Sequence, residues 1–114
     1  MAGYTLRITR EGVVGKERFD DLQVAVDTLE MEARAFANTE RREAAGGIMR
    51  TYEPDEIVAL RAEISGRGIR AGIDVRGNGD AEAFTGRVSR RRIDPERGEN
   101  PYDALRRVLG VTGA

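Results

Sequence analysis

The segment Ile57–Val88 constrains the fold more than any other part of this chain, because it reads as three β-strands joined by two tight turns. Asn78-Gly79 lies at the centre of the second turn. This dipeptide is the strongest short signal for a β-hairpin, since a type I′ turn requires φ > 0 at both central residues. A two-residue loop there predicts that Ile73 lies opposite Phe84, with both side chains on the buried face of a sheet.

The first turn of this segment leads independently to the same division of faces. A two-residue loop at residues 67–68 predicts that Ala62 lies opposite Ile73 and that Arg61 lies opposite Asp74. One face is then apolar and the other is polar, which is typical of an antiparallel sheet that is buried on one side.

Residues 54–65 allow a second interpretation. Proline is favoured at the first helical position, so a helix beginning at Pro54 competes with the strand. The pairing pattern favours the strand, since the pattern satisfies more independent constraints than helix propensity does. A short strand over residues 48–52 would then pair with the strand that follows it.

The N-terminal residues predict another hairpin, but its register stays open. Apolar and polar side chains alternate over residues 4–10, and residues 13–18 follow as a returning strand. A two-residue loop places Leu6 opposite Glu17, whereas a four-residue loop places Leu6 opposite Phe19. Either hairpin leaves an edge strand free to pair with another chain.

Two helices are predicted. The long helix begins at Asp20 or Asp21; with Asp20 as N-cap, Gln23 occupies the N3 position of a capping box. It ends near residue 44, before a Gly-Gly pair. The short C-terminal helix has Asn100 as its N-cap and Pro101 at its first position, and Gly110 ends it.

These elements predict a single α+β domain over residues 1–114. It consists of an antiparallel sheet of about four to six strands, with one long helix (about residues 20–44) packed on one face and a short C-terminal helix beside it. The predicted core comprises Tyr4, Leu6, Ile8, Phe19, Leu22, Val26, Leu29, Phe36, Val58, Leu60, Ile64, Ile69, Ile73, Val75, Phe84, Val88, Leu105, Val108 and Leu109.

Composition excludes several classes of chemistry. The chain contains neither cysteine nor histidine, so disulfides, thiol catalysis and the commonest general base are ruled out. Ser65 and Ser89 have no candidate base, and the acids of residues 53–56 have no partner ligand elsewhere, so no catalytic residue, cofactor or metal site is predicted. No apolar run approaches the roughly 18 residues of a membrane span, and we expect a cytoplasmic bacterial protein.

Arginines on the polar face of the sheet are the first candidate site. The net charge is −1, so the chain as a whole is no polycation, and a solvated face with cross-strand ion pairs is the simplest interpretation. A like-charge pair of Arg70 opposite Arg87 and the basic run after residue 88 favour a partner instead. The partner-binding candidates are Arg61, Arg70, Asp74, Arg87, Arg90, Arg91 and Arg92.

A second apolar line on the long helix is the other candidate site. Val24, Met31 and Ala35 extend the apolar surface beyond what one sheet face needs, and they are predicted to contribute to a dimer. The first functional hypothesis is therefore a small non-catalytic interaction protein, as a homodimer or as part of a complex. The second is an RNA- or ribosome-associated module that binds through the arginine-rich sheet face, with Arg70, Arg87 and residues 90–92. The order of elements resembles such α+β modules in layout only, and no motif residues match. The third is a small-molecule binder or enzyme.

Overall fold

The computed structural model describes residues 3–45, 57–86 and 89–113, and its architecture confirms the α+β class. The elements are β1 (Tyr4–Arg10), β2 (Val13–Phe19), α1 (Leu22–Ala45), β3 (Val58–Gly66), β4 (Ile69–Arg76), β5 (Ala81–Thr85), β6 (Arg91–Ile93) and α2 (Pro101–Leu109). The six strands form one antiparallel sheet in the order β2-β1-β3-β4-β5-β6. Helix α1 packs against β1 to β4, and helix α2 packs against β4 to β6.

The β3–β4 hairpin has the predicted register. Ala62 lies opposite Ile73 and Arg61 lies opposite Asp74. The two loop residues, at positions 67 and 68, have φ values of 49° and 81°, as a type I′ turn requires. Residues 58–66 are therefore strand, and the helical alternative is wrong there; the predicted short strand over residues 48–52 lies outside the described residues.

The β4–β5 hairpin differs from the prediction by one residue. Arg76 donates its backbone N–H to the carbonyl of Asp80, and Gly79 donates to the carbonyl of Arg76, so the loop contains three residues rather than two. Gly79 has φ 91°, whereas Asn78 is not in the left-handed region and instead accepts the N–H of Asp80 with its side chain. This is a type I turn with a glycine bulge, and it places Phe84 opposite Gly72 rather than opposite an apolar partner.

The β1–β2 hairpin takes the shorter of its two possible loops. Glu11 and Gly12 form the turn with φ values of 50° and 78°, and Leu6 lies opposite Glu17. Strand β2 lies at the edge of the described sheet, because β1 pairs with β3 on its other side, and all residues of β2 are exposed except Phe19.

The two helices begin at side-chain caps. Asp21, not Asp20, caps α1, because its carboxylate accepts the backbone N–H of Gln23 at 2.7 Å. The α2 cap is as predicted: Asn100 and Asp103 accept each other's backbone N–H groups in a capping box, and Gly110 ends the helix with φ 73°.

The core lies between the sheet and the helices, and three predicted members need correction. Val58 and Val108 are exposed, because they lie at the ends of their elements. Phe84 is buried on the opposite face of the sheet, as a result of the shifted register. Val88 lies outside the described residues. The buried apolar residues outside the predicted core list are Ala25, Ala33, Ala37, Ala62, Ala71, Ala83, Ile93, Tyr102 and Ala104.

A buried arginine joins the two helices. Arg106 of α2 is 3% exposed, and its Nε donates to Glu30 of α1 at 3.0 Å. Its Nη1 donates to the carbonyl of Thr112 at 2.6 Å. Its Nη2 lies 2.9 Å from Asp27 Oδ1 but lacks the alignment of a hydrogen bond. The position of α2 therefore depends on charge pairing as well as on apolar contact.

Candidate functional site

The sheet face opposite the helices, here called the outer face, carries most of the predicted partner-binding arginines. Arg61 and Asp74 face each other there and form a bidentate pair with N–O distances of 2.6 and 2.9 Å. The pKa of the Arg61 guanidinium lies above its ordinary value, mainly because of this hydrogen bond to Asp74. Arg61 is therefore already satisfied within the chain.

A second ion-pair cluster surrounds Glu63, which is 6% exposed. Its two carboxylate oxygens accept from Arg70 Nε and Arg90 Nη2, each at 3.3 Å. The guanidinium groups of Arg61 and Arg90 lie 5.6 and 5.2 Å from the centre of the Phe84 ring. This arginine cover explains how an aromatic ring on the polar face comes to be buried.

The remaining predicted arginines lie in different parts of the structure. Arg92 lies on the outer face and contacts Glu82 and Asp94 at 3.9 and 3.2 Å. Arg91 alternates with it and so lies on the helix side of the sheet, contrary to the prediction. Arg87 lies outside the described residues; the Arg70 carbonyl instead accepts the N–H of Gly86, so the predicted like-charge pair is wrong in register.

A different like-charge pair occurs at the other end of the outer face. Arg7 of β1 lies directly opposite Lys16 of β2, and Arg18 lies opposite Thr5. Across the described residues, none of the three cations Arg7, Lys16 and Arg18 forms an ion pair. This pair follows from the register of the first hairpin, which the sequence left open.

These cations border a shallow cleft of about 250 Å³, here called the basic cleft. Four cationic side chains surround it, together with two hydroxyl groups and one carboxylate. The lining residues are Thr5, Arg7, Lys16, Arg18, Glu63, Ser65 and Arg70. Arg70 is the only one of the four cations that the sequence prediction selected.

The predicted dimer residues lie exposed on α1. Met31 is 62% exposed, Val24 is 48% exposed, and Ala35 is also exposed. Ala35 borders a groove of about 630 Å³ between α1 and the β1–β2 hairpin, and Val13 of β2, which is 67% exposed, borders the same groove. Exposed apolar side chains thus lie along the open edge of the sheet.

The described residues form neither a metal site nor a membrane span. No three acidic side chains in this part of the chain come close enough to hold a metal ion; the acids of residues 53–56 lie outside it. In the same part of the chain, neither helix combines the length and hydrophobicity needed to cross a bilayer.

Comparison with known proteins gives no family assignment. No protein-family model, curated protein or solved structure matches this chain. The fold defines an α+β protein whose described sheet ends in β2 on one side and β6 on the other, and any function has to be argued from the surfaces described above.

Proposed function

We propose that this chain is a non-catalytic protein-interaction module that accepts a strand of a partner protein along β2. The proposal rests on the pairing, the length and the exposure of this strand. Across the described residues β2 pairs only with β1, it contains seven residues, and nearly all of its side chains are exposed. An edge of this length is a ready template for strand addition.

The backbone groups available to a partner belong to alternate residues of β2. In a hairpin with a two-residue loop, the residues that flank the loop exchange both backbone hydrogen bonds, so Val13 and every second residue after it bond to β1. The N–H and C=O groups of Val14, Lys16 and Arg18 therefore point away from the sheet. A partner strand would form its main-chain hydrogen bonds with these three residues.

The adjoining helix supplies the apolar part of the surface. Val13, Met31 and Ala35 are exposed beside the groove or on the neighbouring turn of α1. Main-chain pairing gives affinity, and apolar contact on the helix side gives specificity. The surface therefore combines the two contributions that strand-adding domains use.

A partner other than a second copy suits this edge better. Antiparallel self-pairing of β2 in the centred register would place Lys16 opposite Lys16, and a shift of two residues in one direction would place Lys16 opposite Arg18. Like charges directly opposite each other are destabilising in a sheet. We therefore favour the heteromeric form of the interaction over the homodimer.

Proline substitution at Lys16 tests the proposal. Lys16→Pro removes an outward N–H at an edge position that tolerates proline, whereas Lys16→Ala removes the charge and keeps the N–H. Both variants and the unchanged protein are used as baits in the native host, with circular dichroism to verify the fold and light scattering to measure mass. We expect a stoichiometric partner that is retained by Lys16→Ala and lost by Lys16→Pro.

Two results would contradict this function. Retention of the partner by Lys16→Pro would place the contact away from the edge, and a dimer mass that both variants keep would assign self-association to another surface.

The RNA-associated alternative has less support, because Arg61, Arg70, Arg90 and Arg92 are all paired with acids. The cytoplasmic location and bacterial origin stay predictions.

A further inference from the structure

We infer that the basic cleft binds the phosphate group of a small phosphorylated ligand. This site is separate from strand addition, because it uses side chains of the outer face rather than the backbone edge. Four cations surround a space of about 250 Å³, and the only acid among the lining residues is Glu63. The cleft is therefore a local concentration of positive charge on a chain whose net charge is −1.

The charge distribution is not explained by folding. Arg7 and Lys16 are directly opposite each other on neighbouring strands, a placement that weakens the sheet. Elsewhere on the outer face, Arg61, Arg76 and Arg92 each contact a carboxylate. At the β1–β2 end of the same face, Arg7 also lies opposite Glu63, but that carboxylate is hydrogen-bonded to Arg70 and Arg90. Within the described residues, Arg7, Lys16 and Arg18 form no ion pair, which is the arrangement expected where an anion binds.

Glu63 positions an arginine rather than neutralising the cleft. Its Oε2 accepts from Arg70 Nε and its Oε1 accepts from Arg90 Nη2, so both oxygens are already engaged. The bond through Nε leaves the two terminal nitrogens of Arg70 available as donors. One carboxylate shared between two arginines also leaves a surplus of positive charge beside the cleft.

The neutral donors of the cleft favour phosphate over carboxylate. Thr5 lies directly opposite Ser65, so two hydroxyl groups are adjacent at one side of the cleft. A phosphate monoester has three acceptor oxygens and a charge of about −1.5 to −2 at neutral pH, whereas a carboxylate has two oxygens and a single charge. Several cations with two hydroxyls therefore match the phosphate more closely.

A small ligand fits this site better than a nucleic acid strand does. Binding of single-stranded nucleic acid uses exposed aromatic rings on which the bases stack. The outer-face ring of Phe84 is 4% exposed and is covered by arginines. The surface beside the cleft thus offers phosphate contacts without a platform for bases.

The test is an NMR titration of the full chain with inorganic phosphate, at constant ionic strength against chloride. We expect shifts confined to the cleft, with Thr5, Arg7 and Ser65 among the affected residues. Arg18→Ser should weaken phosphate binding by about tenfold, the loss of one charge-assisted contact. Arg92→Ser is the matched control, since it removes the same charge from the same face but from an acid-paired arginine; it should change the affinity less than about twofold.

Three results would overturn the inference. Equal weakening by Arg18→Ser and Arg92→Ser would show general electrostatic attraction rather than a site. Shifts with chloride of the same size as those with phosphate would show the absence of phosphate selectivity. Tighter binding of an oligouridylate than of inorganic phosphate, with shifts across the whole outer face, would assign the surface to RNA.

Discussion

Gly72 has no room for a side chain, which gives the sharpest prediction about the sheet. It is buried in β4, opposite Glu63 on one side and Phe84 on the other. A Cβ atom built on it would lie 2.1 Å from the carbonyl oxygen of Ala62 and 3.0 Å from the carbonyl carbon of the same residue. Because both of these are backbone atoms, no side-chain rotation can relieve the contact.

The cost of Gly72→Ala follows from this geometry. Ordinary contact requires β3 and β4 to separate locally by about 1 Å. Such a shift lengthens the neighbouring inter-strand hydrogen bonds beyond their useful range, and about two of them would be lost in a buried setting. At about 1.5 kcal/mol for each, the free energy of unfolding should fall by about 3 kcal/mol, which corresponds to a Tm lower by about 12 °C in a domain of this size.

Gly15→Ala is the matched control for that experiment. Gly15 lies on β2, and a Cβ there would meet no atom within 4 Å. The free energy of unfolding of Gly15→Ala should stay unchanged or rise by a few tenths of a kcal/mol, since alanine restricts the unfolded chain. Thermal and urea unfolding, followed by circular dichroism, measure both variants. A Tm of Gly72→Ala within about 2 °C of the unchanged protein would refute the close backbone approach.

Two further predictions concern charged groups around α2. Arg106→Met should lower the free energy of unfolding by about 2–3 kcal/mol, as measured by a thermal scan. This cost is less than that of breaking a fully buried pair, because the Asp27 side chain is 45% exposed. Arg107→Met is the control at an exposed arginine and should have a smaller effect in the same scan. The pKa of Glu99 lies below its ordinary value of 4.5, because its carboxylate accepts from Arg107 and from a backbone N–H. Its contribution to stability is therefore complete above about pH 4.5 and is lost as the pH falls through the lower folded-state pKa, so Glu99→Gln should be less stable at neutral pH, and the difference should shrink as the pH falls below 4.5.

The two central hairpins show how far the sequence determines the fold. At Arg67-Gly68 the flanking strands alternate strongly between apolar and charged residues, so only one register buries the apolar set. Near Asn78, a two-residue type I′ turn and a three-residue type I turn with a glycine bulge both place Gly79 in the left-handed region, so the turn residues fit either loop length. The returning strand carries small residues on the face that became buried, so its alternation did not exclude the wrong register.

The sites were harder to predict for similar reasons. The like-charge pair of Arg7 and Lys16 follows from the two-residue loop, but the sequence alone left two loops possible for the first hairpin. The buried Arg106 had a signal that was not used: with Tyr102, Leu105 and Leu109 it completes the i, i+3, i+4, i+7 spacing of a buried helical stripe. Arg106 was not predicted to be buried, because its partners, Asp27 and Glu30, lie on a distant element.

In the proposed strand addition, the unequal lengths of the two outermost strands among the described residues would set the stoichiometry of the complex. At one side of the sheet β2 offers seven residues, whereas at the other side β6 has only three and is followed directly by an acidic, proline-containing loop. Very short terminal strands resist further pairing. Strand addition as proposed would therefore take place once and then stop, so the expected complex is a closed one-to-one pair rather than a repeating fibre.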